Sequence, residues 1–339
     1  MLKNRFEKFE SKRFSTVNEL RKQLDTTEYE FINVNPAQVE LLDNGVIQAE
    51  NVKMPIYLEG AENFFEKVLK IPDPFSTWIP YSTLQNNVHD ICREKLEERL
   101  TLCINKEKIV NIINGIYHPV PSKAILHSFE REDLEWKFLE WSHEGFNIQS
   151  LGNVQLMAEP KIGHVTRVGS NFRYSPTGFF DPQGSTLLFT LVCSNGAVLG
   201  REYGKLKMKL YGDINMETFS RTLSQKIDNL LINSDKMLVR FNKMGDTILT
   251  NSSAFSLFRS VTKATDQETA MTVFNLEDEQ RIELKVKAKE WETKEENSEY
   301  NFYETYYGIT DLANQYNGRT RRRLQVLSGK MIDFEELRN

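Results

Sequence analysis

Between residues 134 and 212 the chain runs through one strand-like segment after another, and after Asp213 the apolar spacing turns helical. Trp136, Phe138 and Glu140 oppose Glu135, Lys137, Leu139 and Trp141. His164 to Tyr174, Ser185 to Val192 and Lys205 to Tyr211 follow, divided by clusters of Gly, Pro, Ser and Asn. A period of two marks strands with two unlike faces. A block of strands followed by a block of helices predicts an α+β fold rather than a doubly wound sheet. The expected architecture is a mainly antiparallel β-sheet region packed with helices, with a helical C-terminal part.

Upstream, Thr16-x-x-Glu19 has the form of a capping box and predicts a helix to about Leu24. Asp43-Asn44-Gly45 marks a hairpin between 39–42 and 46–48. Helices are expected at 62–70 and 83–99, and paired strands at 102–104 and 109–113. Pro121 is placed to open a short helix. Downstream, 215–243 and 252–264 read as helix, 282–289 as strand or helix, and 289–299 as a solvated charged stretch. The last forty residues read as helix, interrupted at Asn317-Gly318. Three segments result: a basic arm and first helix at 1–24, a mixed and then β-rich core at 25–213, and a mainly helical region at 214–339. They are compatible with one continuous domain, as the 339-residue length allows.

The chemistry is narrowed mainly by elimination. Lys and Arg number 43 against 48 Asp and Glu, a net charge of -5, so any nucleic-acid contact must come from a local patch. The cysteines, Cys92, Cys103 and Cys193, are odd in number and show no CxxC spacing, which fits a reducing cytoplasm. The N-terminus has no apolar signal region and no run is long enough to span a bilayer. Gly204-Lys205 falls short of a phosphate loop because Leu199 stands where Gly is needed and Leu206 where Ser or Thr is needed. Gly329-Lys330 fails in the same way. Cys193-Ser194 lacks the G-x-S-x-G elbow, and nothing ties His89, His118, His127, His143 or His164 to it. No histidine pair has i,i+4 spacing, so no metal site is expected. Catalytic residues and cofactors are likewise not expected.

Two basic clusters remain. On a strand, Lys205, Lys207 and Lys209 share one face, roughly 6–7 Å apart, with Arg201 on the approach. That interval is comparable to phosphate spacing along an extended single strand, but a solvated lysine face guarding against aggregation has the same pattern. The densest cluster is Arg319, Arg321, Arg322 and Arg323. On a helix, Arg319, Arg322 and Arg323 share a side suited to phosphate, or to ion pairs with 290–299. The arm adds seven Lys and Arg against three Glu over residues 1–24. Tyr300, Phe302, Tyr303, Tyr306 and Tyr307 offer either stacking surfaces or a helical core face.

Three segments resemble an uncharacterised family described as phage/plasmid-like protein. KIVNIINGIYHPVP, 108–121, is similar to its central strand, which ends in a tyrosine and a polar turn. TLVCSNG, 190–196, is similar to its signature of an apolar strand closing in Cys-Ser-Asn, and 306–331 to its closing aromatic and basic helices. The resemblance implies a bacteriophage or mobile-element setting, in DNA replication, recombination or takeover of the host. At fold level alone there is also a similarity to phage single-strand annealing proteins, whose basic groove runs around a ring. The expectation is a non-enzymatic protein of the host-cell cytoplasm, outside the membrane and homo-oligomeric. It would bind single-stranded DNA through Arg201, Lys205, Lys207, Lys209, Arg319, Arg321, Arg322 and Arg323. The alternative is a protein-interaction factor that inhibits a host defence or a host enzyme.

Overall fold

The structure, a computed structural model, describes residues 5–72, 78–94, 96, 98–127, 134–152, 157–190, 195–198, 205–207, 221–225, 229, 235–290 and 295–334. Part of the basic N-terminal arm forms strand β1 (Lys12–Phe14). It pairs antiparallel with a strand from the middle of the chain, Arg13 opposite Glu140. Arg13 also donates to the backbone oxygens of Asn314 (3.2 Å) and Tyr316. Helix α1 (Val17–Thr26) starts as its sequence dictates. Thr16 Oγ1 accepts from the Glu19 N–H and the Glu19 carboxylate accepts from the Thr16 N–H, each at 3.2 Å.

Strands β2 (Glu30–Val34), β3 (Val39–Leu41), β4 (Val46–Ala49) and β5 (Val52–Pro55) follow. The β3–β4 hairpin turns through Asp43–Gly45, with Asn44 at φ 57°. Helix α2 (Leu58–Asn63) runs on as one π-helical stretch, Phe64–Val68. Helix α3 (Tyr81–Glu94) buries Leu84, Val88 and Cys92 at helical spacing. Strands β6 (Leu100–Asn105) and β7 (Lys108–Asn114) pair with each other, and β2 joins the outer side of β6. These elements close over a local apolar core that includes Val34, Ile47, Phe64, Leu84 and Ile112.

After helix α4 (Ser122–His127) comes the large antiparallel sheet. Its strands are β8 (Leu134–Ser142), β9 (Gly145–Gly152), β10 (Met157–Ala158), β11 (Thr166–Tyr174), β12 (Gln183–Thr190), β13 (Asn195–Val198) and β14 (Lys205–Lys207). The order is β1-β8-β9-β11-β12-β13, with β10 against β11 and β14 against β12. Strand β9 sits inside the sheet, although no strand is predicted there from sequence. One face carries Phe146, Ile148, Phe172, Tyr174 and Leu188 into the main core. The C-terminal elements supply the other side of that core. They are α5 (Asp235–Lys243), β15 (Ile248–Thr250), α6 (Asn251–Ala264), α7 (Gln267–Val273), α8 (Asp278–Lys287), β16 (Asn297–Asn301), α9 (Phe302–Asn314) and α10 (Gly318–Met331).

The fold is α+β, as the strand and helix blocks predict. The ambiguous 282–289 segment lies largely in helix α8, opened by a reciprocal Glu277–Gln280 cap. Part of the stretch expected to be solvated forms β16, which pairs with β15. The aromatic run is a core face: Phe302, Tyr303 and Tyr306 are buried in α9. The three segments distinguished in sequence interlock, because β1 extends the large sheet and Leu20, Ile148 and Tyr306 share one core. No helix among the described residues is long and apolar enough to cross a membrane.

Candidate anion-binding site

The second face of the large sheet is polar, and α10 lies across it. Cross-strand neighbours share a face, and the pairing aligns two polar rows. One runs Glu140, Asn147, Arg173, Gln183, Lys207, and the other Phe138, Gln149, Asn171, Ser185, Lys205. Gln149, Asn171 and Ser185 are buried. Gln149 Nε2 donates to Asn171 Oδ1 (3.0 Å) and to Gln325 Oε1 of α10 (3.1 Å). Further along α10, Val326 packs on Leu151, Leu187 and Phe189. At the start of the helix the Gly318 N–H donates to Glu140 Oε1 (2.8 Å).

The four arginines of this helix part company. Arg321 is 3% exposed, and its guanidinium lies 3.3 Å from the centre of the Phe138 ring. Arg13 approaches the same ring at 5.3 Å. Burial holds Arg321 down to about 10. The expectation that Arg321 contacts an outside strand therefore gives way to a packing role: the polar sheet face draws this side of the helix inward. Arg319 pairs with Glu62 (3.0 Å) and with Glu144, on the β8–β9 hairpin, rather than with any described residue of the acidic stretch 290–299. Arg322 and Arg323 reach a pocket of about 390 Å³.

That pocket opens between the start of α10, the α2 region, the β8–β9 hairpin and the Phe179–Phe180 loop. Gly145 lets the hairpin come this close: its φ is +145°, and a Cβ there would stand 2.2 Å from Tyr174 O. Inside, Arg173 stacks on Phe180, its guanidinium carbon 3.5 Å from the ring centre. Burial lowers Arg173 to about 10, only partly offset by Glu144. Burial, together with the charge of Arg173, lowers Arg322 to about 9. Both stay cationic at neutral pH. Arg322 Nη1 is buried with no hydrogen-bond partner among the described residues, and the same holds for Asn147 Oδ1. Lys67 donates to Phe179 O (2.8 Å), and burial lowers it too.

The first turn of α10 therefore contains arginines and no acid. Cations at a helix N-terminus oppose the helix dipole, at a cost of ~0.3–1 kcal/mol each when exposed. The arrangement is poor for helix stability and favourable for holding an anion.

Arg173, Lys67 and Phe180 are not among the residues singled out from sequence. Their one signal is Arg173 itself, a charged residue on a strand between otherwise apolar or small neighbours. Lys205 and Lys207 stand in β14, opposite Ser185 and Gln183. Arg201, Lys209, Cys193 and Ser194 lie outside the described residues. Cys92 and Cys103 are buried, and burial pushes both thiols up, away from nucleophilic reactivity. His143 sits against Tyr57 and Trp141, and His164 Nδ1 lies 3.1 Å from Tyr303 Oη. No group of three His, Cys, Asp or Glu among the described residues is placed to hold a metal ion. Comparison with protein-family models, curated proteins and solved structures finds no match for this chain.

Proposed function

We propose that this protein binds a phosphate-bearing strand, single-stranded nucleic acid, and does so without catalysing a reaction on it. The observation that carries the reading is the sheet register. It aligns Lys205 and Lys207 with the rows that contain Arg173 and Ser185, beside the helix that brings Arg322 and Arg323. The backbone register thus sets the β14 strand beside the strand that follows Arg173 in the same sheet. Lysine and arginine there make backbone contacts that are independent of sequence. The resemblance to phage/plasmid-like sequences gives such binding a setting, the protection or annealing of strands in a host cytoplasm by an oligomer of this chain.

Binding of a fluorescent oligonucleotide across a salt series tests the reading. Neutralising three to four phosphates of a single strand predicts a log–log slope of about -2 to -3, a weakening of about 20- to 50-fold between 50 and 200 mM salt. Changing Lys205, Lys207 and Lys209 together to Glu is expected to abolish binding, with the far-UV spectrum unchanged. No binding at about 50 mM salt overturns the reading in favour of a protein partner.

A further inference from the structure

We infer that the pocket between the start of α10 and the β8–β9 hairpin is a site for one phosphomonoester group, held between Arg173 and Arg322. The inference rests on the strand-binding reading only in taking phosphate as the anion; the demand for an anion comes from the pocket itself. At about 390 Å³ it lies near the small end of the ~300–1,000 Å³ range of ligand sites. It takes a group of nucleotide size, not a length of strand.

The charges lining the pocket, Lys67 and four arginines against four glutamates, leave an excess of one positive charge. Glu62 and Glu144 share one cation, Arg319, Glu144 also acts on Arg173, and Glu140 accepts from the helix N-terminus. Lys67 is held by a backbone oxygen. Glu66 and Arg323 lie in exposed positions at the rim. That leaves Arg173, stacked on Phe180, and Arg322, whose Nη1 has no partner among the described residues. Two partly buried guanidinium groups close enough to repel each other gain from an added counter-ion. A phosphomonoester offers three acceptor oxygens and so can reach both groups at once, and guanidinium forks match its oxygens.

Titration with inorganic phosphate and with a nucleoside 5′-monophosphate, read by calorimetry and by thermal shift, tests the site directly. Saturable binding by the nucleotide is expected, with little response to acetate at equal ionic strength. Arg322→Gln is expected to weaken binding at least about tenfold, the loss of one charge-assisted contact of about 1.4 kcal/mol or more. Without ligand, the same variant should melt no lower than the parent. Arg323→Gln, at the rim, is the second variant and should weaken binding less. Absence of saturable binding by both ligands, or equal affinity in Arg322→Gln, overturns the proposal. A 5′-phosphorylated oligonucleotide compared with its 5′-hydroxyl twin separates the two sources. A preference for the phosphorylated strand assigns the site to a strand end, whereas equal affinity with nucleotide binding intact assigns it to a free phosphomonoester. Binding of the 5′-hydroxyl strand by a pocket blind to phosphate would sink this inference alone. Phosphate binding without strand binding would sink only the strand reading.

Discussion

On β9, Phe146 and Ile148 enter the large apolar core, while Asn147 and Gln149, one residue along, belong to the face covered by α10. On β11 the same split separates Phe172 and Tyr174 from Asn171 and Arg173. Both faces are shielded from water, but they obtain stability differently. The first uses apolar area, which is non-directional and forgiving of composition. The second uses buried amides and guanidinium groups, each of which needs a particular partner. At Arg321, stacked over the Phe138 ring, the polar face acts as packing. At Arg322, whose side chain reaches the pocket, it is left with capacity for a ligand.

Truncating the apolar face should do the most damage. Phe172→Ala, at a fully buried position, is expected to cost about 3–5 kcal/mol in chemical denaturation. A loss under about 1 kcal/mol would mean that the core face is loosely packed.

The β8–β9 hairpin, which carries Glu144 to the pocket, provides the next test. His143 is stacked on Tyr57, with Tyr29 Oη 3.2 Å from its Nδ1. Burial, aided by Lys12, Lys106 and Lys108, pushes the imidazole down to about 4. Its folded value is below its unfolded value of about 6.5, so the unfolded chain binds the extra proton first. Stability should therefore be full above about pH 6.5 and fall between there and about pH 4, by on the order of 2–3 kcal/mol. The same denaturation experiment in His143→Phe should flatten this part of the pH profile; an unchanged profile would place the dependence elsewhere.

Within α10, the comparison narrows to neighbouring arginines. Arg321→Ala is expected to destabilise by about 1–3 kcal/mol, because it removes both the guanidinium stack on Phe138 and the aliphatic stem beneath it. Arg322→Gln is expected to change stability least, between no change and a gain of about 1 kcal/mol, since it removes a shielded charge that lacks a partner. Equal losses from the two substitutions, measured by thermal melting, would erase the distinction between packing and ligand-holding arginines.

Features governed by neighbours in the chain are readable from sequence. The Thr16–Glu19 cap, the Asp43–Gly45 turn, the β6–β7 pair and the helical spacing of α3 all rest on local backbone chemistry or on a period against one core. Strand β9 escapes because Gly145, Asn147, Gln149 and Gly152 dilute its alternation; their polarity suits a second buried face that no local signal announces. Strand β16, NSEYN, escapes because its pairing depends on β15, about fifty residues earlier. Of the candidate site, the dense arginine cluster and the lysine alternation are visible in the sequence, while Arg173 and the pocket are not.

What the sequence determined by itself is therefore the α+β order, the strand alternation and the positions of the basic clusters, since each follows from residues within a few turns of one another. Only the tertiary structure decided which arginine is packing and which faces a pocket. That choice depends on α10 crossing a sheet face whose contact residues, such as Gln149 and Gln325, stand 176 positions apart. Helical periodicity assigns Arg321 and Arg322 to different sides of α10. What each side meets, the Phe138 ring or a cluster of desolvated charge, is set by packing between segments that carry no information about one another until they are in contact.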